Sequence, residues 1–159
     1  MISDRSQLIP ALRAGRGDVI VGSLAVTPER AEQVLFTRPI RLVSQQIVVP
    51  KADRSIRRPA DLEGKTGTVR ASSSYASTLA RLQRRVKGLE IKPARETEDT
   101  FDLIQKVARG EEAVTVADSD ILATALTFEP GVKAAFALAE RHLFAWGVRK
   151  EDPALKGAL

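Results

Sequence analysis

Apolar positions along the chain change spacing repeatedly, and each change marks an element. Leu8, Ile9 and Leu12 form a helical stripe. Ser6 is placed to cap it, Pro10 falls early where it does least harm, and Gly15 and Gly17 end it. Residues 18–22 form a short apolar strand. Thr27 then caps a helix that opens on Pro28, a favoured first helical residue. Residues 42–49 are rich in β-branched side chains and predict a strand, and 50–59 is a charged connector with a proline at each end. Residues 59–65 predict a single short helical turn and 66–70 a strand. Serines 72–74 can cap a helix running to about residue 86, closed by Gly88. Residues 89–93 predict a strand. A helix over 97–109 carries Phe101, Ile104 and Val107 on one face, with Gly110 at its end. A strand follows over 113–117, and Asp118 or Ser119 caps the helix after it. Residues 132–139 and 143–148 are extended, and Asp152-Pro153 opens a final helix.

Strands alternating with helices of about ten residues predict an α/β fold with mostly parallel sheets. In such sheets ligands bind beyond the carboxyl ends of strands, where helices begin. Three strand-to-helix junctions here are polar: residues 23–30, 70–74 and 118–119. Arg30 falls in the first turn of its helix, where the dipole is positive and a cation is mildly unfavourable. Its planar fork suits a carboxylate. Backbone N–H groups at Ser73 and Ser74 would form an anion site at a helix start. Asp118 follows an apolar strand and could pair with an ammonium group. The plain alternative is that Arg30 pairs with a local carboxylate and Asp118 merely caps a helix. Each residue alone fits that alternative; three at equivalent topological positions favour a site for a zwitterion.

Composition narrows the chemistry. The 159 residues suit one domain or two small lobes. Without cysteine there is no disulfide framework or thiolate chemistry, and with His142 as the one histidine a multi-histidine metal site is impossible. No run approaches the ~18 apolar residues of a membrane span. The chain opens on no basic segment followed by an apolar one, so no signal peptide is expected in it. The net charge is +5, with arginines clustered at 54–58 and 81–85. Nucleic acid would use such clusters, but no stacking aromatics interleave with them, and solvated surface accounts for them.

Other motifs fall away on inspection. Residues 63–66, EGKT, resemble the end of a phosphate-binding loop, but the required earlier glycine is Pro59. The serine run lacks the elbow of a serine nucleophile. Glu111 and Glu112 lie at a helix-end turn and read as solvated. No catalytic residue, cofactor or metal is expected, and the chain reads as a non-enzyme.

The segments 18–40, 66–79, 110–122 and 144–155 resemble, in order, the family-3, type II periplasmic solute-binding proteins that serve amino-acid importers. Carried by the segments VRASSSY, TVADSDI and AWGVRKEDP, the wording is closest to the solute-binding-like domains of membrane-bound lytic transglycosylases. The resemblance implies a periplasmic-binding-protein-like type II fold whose two lobes close on a ligand by a hinge, with Gln45 and Gln46 near the first crossing. It implies a partial first lobe over 1–48, a second lobe over 49–139 and a return segment over 140–159. It also implies an N-terminally truncated, incomplete first lobe, so that either the chain is a fragment of a longer protein or a partner, such as a second copy in a homodimer, completes it. It assigns Arg30 to a ligand carboxylate and Ser23 to a ligand hydrogen bond. Ser73, with Ser72, binds the carboxylate from the second lobe, Asp118 takes the amine, and Arg70 selects an anionic group. A glycine common before the serine pair is Ala71 here, and an acidic residue common near the next strand is Ala113. The implied role is the periplasmic substrate-binding component of an ABC-type importer, with a membrane permease as partner. The alternative is a regulatory domain fused to a lytic murein transglycosylase, sensing muropeptides or amino acids.

Overall fold

The computed structural model describes residues 4–159, apart from the side chains of Ser23 and Glu140. The chain packs as two compact units, Met1–Val43 with Arg141–Leu159, and Ser44–Glu140. It passes between them inside two strands, β3 (Arg41–Pro50) and β7 (Val132–Val148).

In the first unit, β1 (Val19–Ala25) runs antiparallel to the end of β7, pairing Val19 with Val148 and Ile20 with Gly147. The register shifts before Leu24 meets Ala145, so residues 21–23 bulge out of the ladder. A two-residue strand, β2 (Leu35–Phe36), pairs antiparallel with the same Val148 and Gly147. Gly147 lies in close packing: a Cβ there would lie 3.3 Å from Leu24 Cδ2 and 3.6 Å from Val34 Cγ2. Around it Leu12, Ile20, Leu24 and Val34 form one small core; Ala25, Val43 and Phe144 form another. The helices are α1 (Leu8–Arg13), α2 (Pro28–Ala31) and α6 (Pro153–Ala158). A 3-10 turn, Arg5–Gln7, precedes α1.

The second unit holds the larger cores. β4 (Thr66–Arg70) runs parallel to β5 (Glu90–Ala94), and Gly67 bridges to Val114 in parallel. β3 runs antiparallel to β6 (Thr115–Asp118), with Gln45 opposite Asp118 and Val48 opposite Thr115. α3 (Ser74–Gln83) packs Leu79 and Tyr75 into a cluster with Ile47, Leu62, Val69, Val114 and Val116. α4 (Thr100–Ala108) and α5 (Ser119–Ala125) close a second cluster with Ile104, Val107, Leu122 and Val48.

The α/β class is the one the alternation of elements predicts, but the sheets are not mostly parallel. Among the described ladders only β4–β5 and the Gly67–Val114 bridge are parallel. The crossing strands cause this. β3 enters the second unit where β6 ends, and β7 leaves toward the first unit against β1, so both ladders are head to tail. Residues 132–148 form one strand rather than two, because the polar residues between the two apolar runs keep extended backbone. β2 is too short to show in the apolar pattern. Ser6 does not cap α1: Asp4 caps the preceding turn, and Ser6 donates to its carboxylate through both N–H and hydroxyl. Glu112 is not solvated. Thr68 and Lys92 donate to it at 2.6 and 2.7 Å, which ties β4 to β5.

Candidate functional site

Arg30 reaches back rather than outward. Its Nη1 donates to the Ala25 carbonyl at 3.0 Å, and its backbone N–H donates to the capping Thr27 hydroxyl at 3.4 Å. The carbonyl at the end of β1 therefore compensates a cation placed at a helix start. The guanidinium is half-buried at the strand-to-helix junction of the first unit. Ser23 lies in the bulged part of β1, and its side chain lies outside the described residues.

In the second unit the three serines divide their work. Ser73 is the N-cap of α3: its hydroxyl accepts from the Ala76 N–H at 3.4 Å and donates to the Arg70 carbonyl at 2.7 Å. Its own N–H also donates to that carbonyl. Ser72 gives its N–H at 3.0 Å, and its hydroxyl, to the carboxylate of Glu96. An internal anion thus already sits at the start of α3, where the dipole and free N–H groups favour one. Ser74 Oγ accepts from Gln45 Nε2 at 3.2 Å. Arg70, at the end of β4, is buried at 7% exposure.

Asp118 is 2% exposed at the end of β6, in the N-cap position of α5, where its side chain makes no capping bond. Tyr75 is the group that engages it. The phenol donates to Asp118 Oδ2 at 2.7 Å, and the Asp118 backbone N–H donates back to the phenol oxygen at 3.3 Å. Burial, then the negative charge of Asp118, push the Tyr75 hydroxyl far above the ordinary tyrosine value, so it stays a neutral donor. Opposite Asp118 in the ladder, Gln45 is fully buried, and its Oε1 has no hydrogen-bond partner among the described residues.

The sequence-predicted residues therefore divide between the units, Arg30 in the first and Arg70, Ser72, Ser73 and Asp118 in the second. Residues 72–75 and 118 are brought onto adjoining elements by the packing of α3 against β4 and β6. Sequence reasoning missed Tyr75 and Glu96. The available signal was that Tyr75, the one tyrosine of the chain, directly follows the serine run. No cluster of potential metal ligands and no membrane-spanning helix occurs among the described residues.

Residues 2–159 match the model of the bacterial extracellular solute-binding proteins, family 3. The chain belongs to that family. A membrane-bound lytic murein transglycosylase F from Desulfosudis oleivorans is 35% identical over 149 residues, 94% of this chain and 33% of its own length. The chain thus spans about a third of that relative's length. Among solved structures, an ancestral arginine-binding protein bound to arginine superposes with a TM-score of 0.86 at 27% identity. It is covered over 67% of its length, and this chain over 97%. The same ancestral protein bound to glutamine gives 0.82 at 27% identity, again over 67% of its length and 97% of this chain. The type II periplasmic-binding-protein fold follows from these likenesses.

Proposed function

We propose that this family-3 chain is a non-catalytic binding module for a free amino acid or short peptide. The observation that carries the reading is the likeness to an ancestral arginine-binding protein solved with arginine and with glutamine bound. In this reading Arg30 and Ser23 of the first unit are assigned to a ligand carboxylate; Ser72 and Ser73 of the second are assigned to one as well, which requires the ligand to displace Glu96 from Ser72. Asp118 takes the ammonium group, and Arg70 selects for an anionic group. The surroundings of Asp118 support an ammonium ligand: an acidic side chain and the buried acceptor Gln45 Oε1 meet in one ladder position. An ammonium brings three donors to such acceptors.

The 35% identical transglycosylase relative supports a role as the sensing domain of a cell-wall lytic enzyme, with an amino acid or muropeptide as effector. The family's extracellular description supports a periplasmic location and leaves a substrate-binding role beside a membrane permease as the competing assignment.

Calorimetry against amino acids and muropeptides tests the reading. Wild-type protein is expected to bind at least one compound. Arg30→Ala and Asp118→Ala are each expected to weaken it at least ~30-fold, the ~2 kcal/mol or more lost when one partner of a buried charge pair is removed. Binding that neither substitution weakens would sink the assignment.

A further inference from the structure

We infer that Tyr75 is the positioning residue of the amine seat. Its hydroxyl fixes one oxygen of Asp118, and so sets the direction in which the carboxylate meets a ligand ammonium. This rests on the assignment of Asp118 proposed above, and it adds a residue that the sequence pattern did not single out.

Three features support it. First, the phenol is fully engaged. It donates to Asp118 Oδ2 at 2.7 Å and accepts from the Asp118 N–H at 3.3 Å. The ring is 6% exposed and packed in the main core of the second unit, so the hydroxyl has little freedom to turn. Second, the contact joins α3 to the end of β6 across 43 residues, so the carboxylate orientation is set by the fold rather than by one loop. Third, Asp118 stands in the N-cap position of α5 yet makes no capping bond. An aspartate there ordinarily turns to the N–H groups of the first turn. Here the tyrosine holds the carboxylate away from that alternative. A phenol also does this without adding a positive charge, which would compete with an ammonium ligand.

Two ligand pairs that differ only in the α-amine test the role. These are L-arginine against 5-guanidinopentanoate, and L-glutamine against 4-carbamoylbutanoate. In wild type each amino acid is expected to bind at least tenfold more tightly than its des-amino partner. Tyr75→Phe keeps the ring and removes the hydroxyl. It is expected to lose most of that discrimination while the des-amino acids bind within about twofold of wild type. Equal weakening of both members of a pair would mean a general structural role and overturn the inference. So would unchanged discrimination in Tyr75→Phe alongside its loss in Asp118→Ala. If wild type binds neither, the pair is formed from the amino acid that the calorimetric panel identifies and its des-amino acid; binding of no panel member would overturn the underlying reading, and this one with it. Should the variant not fold, wild-type protein carrying 13Cζ-tyrosine gives a single resonance. L-arginine is expected to shift it and 5-guanidinopentanoate to leave it in place; the same response to both would overturn the inference.

Discussion

At Glu112 a single carboxylate links two strands, and its ionisation sets a pH window. Burial opposes its charge, but the bonds from Lys92 and Thr68 and the charge of Lys92 outweigh that and hold it below the usual glutamate value. A lowered folded value contributes stability above the unfolded value, about 4.3, which is lost as pH falls through the folded one. Glu112→Gln is therefore expected to cost about 1 kcal/mol at pH 7 and little at pH 2–3. Urea titrations at both pH values check this, and an equal loss at both would refute the ionic account. Tyr75 works in the opposite direction. Its raised value adds stability that is complete below about pH 10, where an unfolded tyrosine ionises, and fades above it. Because it is the one tyrosine, absorbance near 295 nm reads it alone. No native tyrosinate band is expected at pH 10–11 while the protein stays folded, and a band titrating near 10 would show the phenol to be exposed.

Among the elements, α4 has the most complete start. Asp99 accepts from the N–H groups of Phe101 and Asp102 at 2.7 and 2.9 Å, and Asp102 returns a bond from the Asp99 N–H at 2.8 Å. Asp99→Ala is expected to cost about 1 kcal/mol, read as a lower urea midpoint with unchanged slope, and Asp99→Asn much less. Similar losses in both variants would mean that the cost lies outside the cap. This element was legible from its apolar stripe, Phe101, Ile104 and Val107, and its terminal Gly110, but the pattern starts it at 97; the Asp99 cap that sets its true start at Thr100 was not singled out. Gly88, at φ +71°, closes the loop after α3 in the same legible way. The direction of strand pairing was not legible. Alternation of strands and helices cannot show that β3 and β7 each serve both units, so the antiparallel ladders emerge only in three dimensions. At the site, Asp118 and the serine run stood out by their position at strand ends. The partners that define their state, Tyr75 and Glu96, act across 43 and 24 residues of sequence, and no local spacing encodes that.

At the scale of the whole molecule, the two units differ in how much core they own. The second contains two clusters in which Ile47, Leu62, Leu79, Ile104 and Val116 are all fully buried. The first relies on two small groups around Leu24 and Phe144, and β1 leaves Val21 69% exposed. Local opening costs less where fewer apolar groups must be uncovered. Backbone amides of β6 and α4 are therefore expected to exchange at least ~100-fold more slowly than those of α1 and β1, a gap of about 2.7 kcal/mol. Uniform protection across both units would show that they unfold as one. The same measurement tests the proposed ligand assignment. A ligand at 100 times its Kd stabilises the states that hold it by about 2.7 kcal/mol. If Asp118 takes the ligand's ammonium group, added ligand must raise protection at β6 and at the start of α3. Unchanged protection there would remove Asp118 from the site.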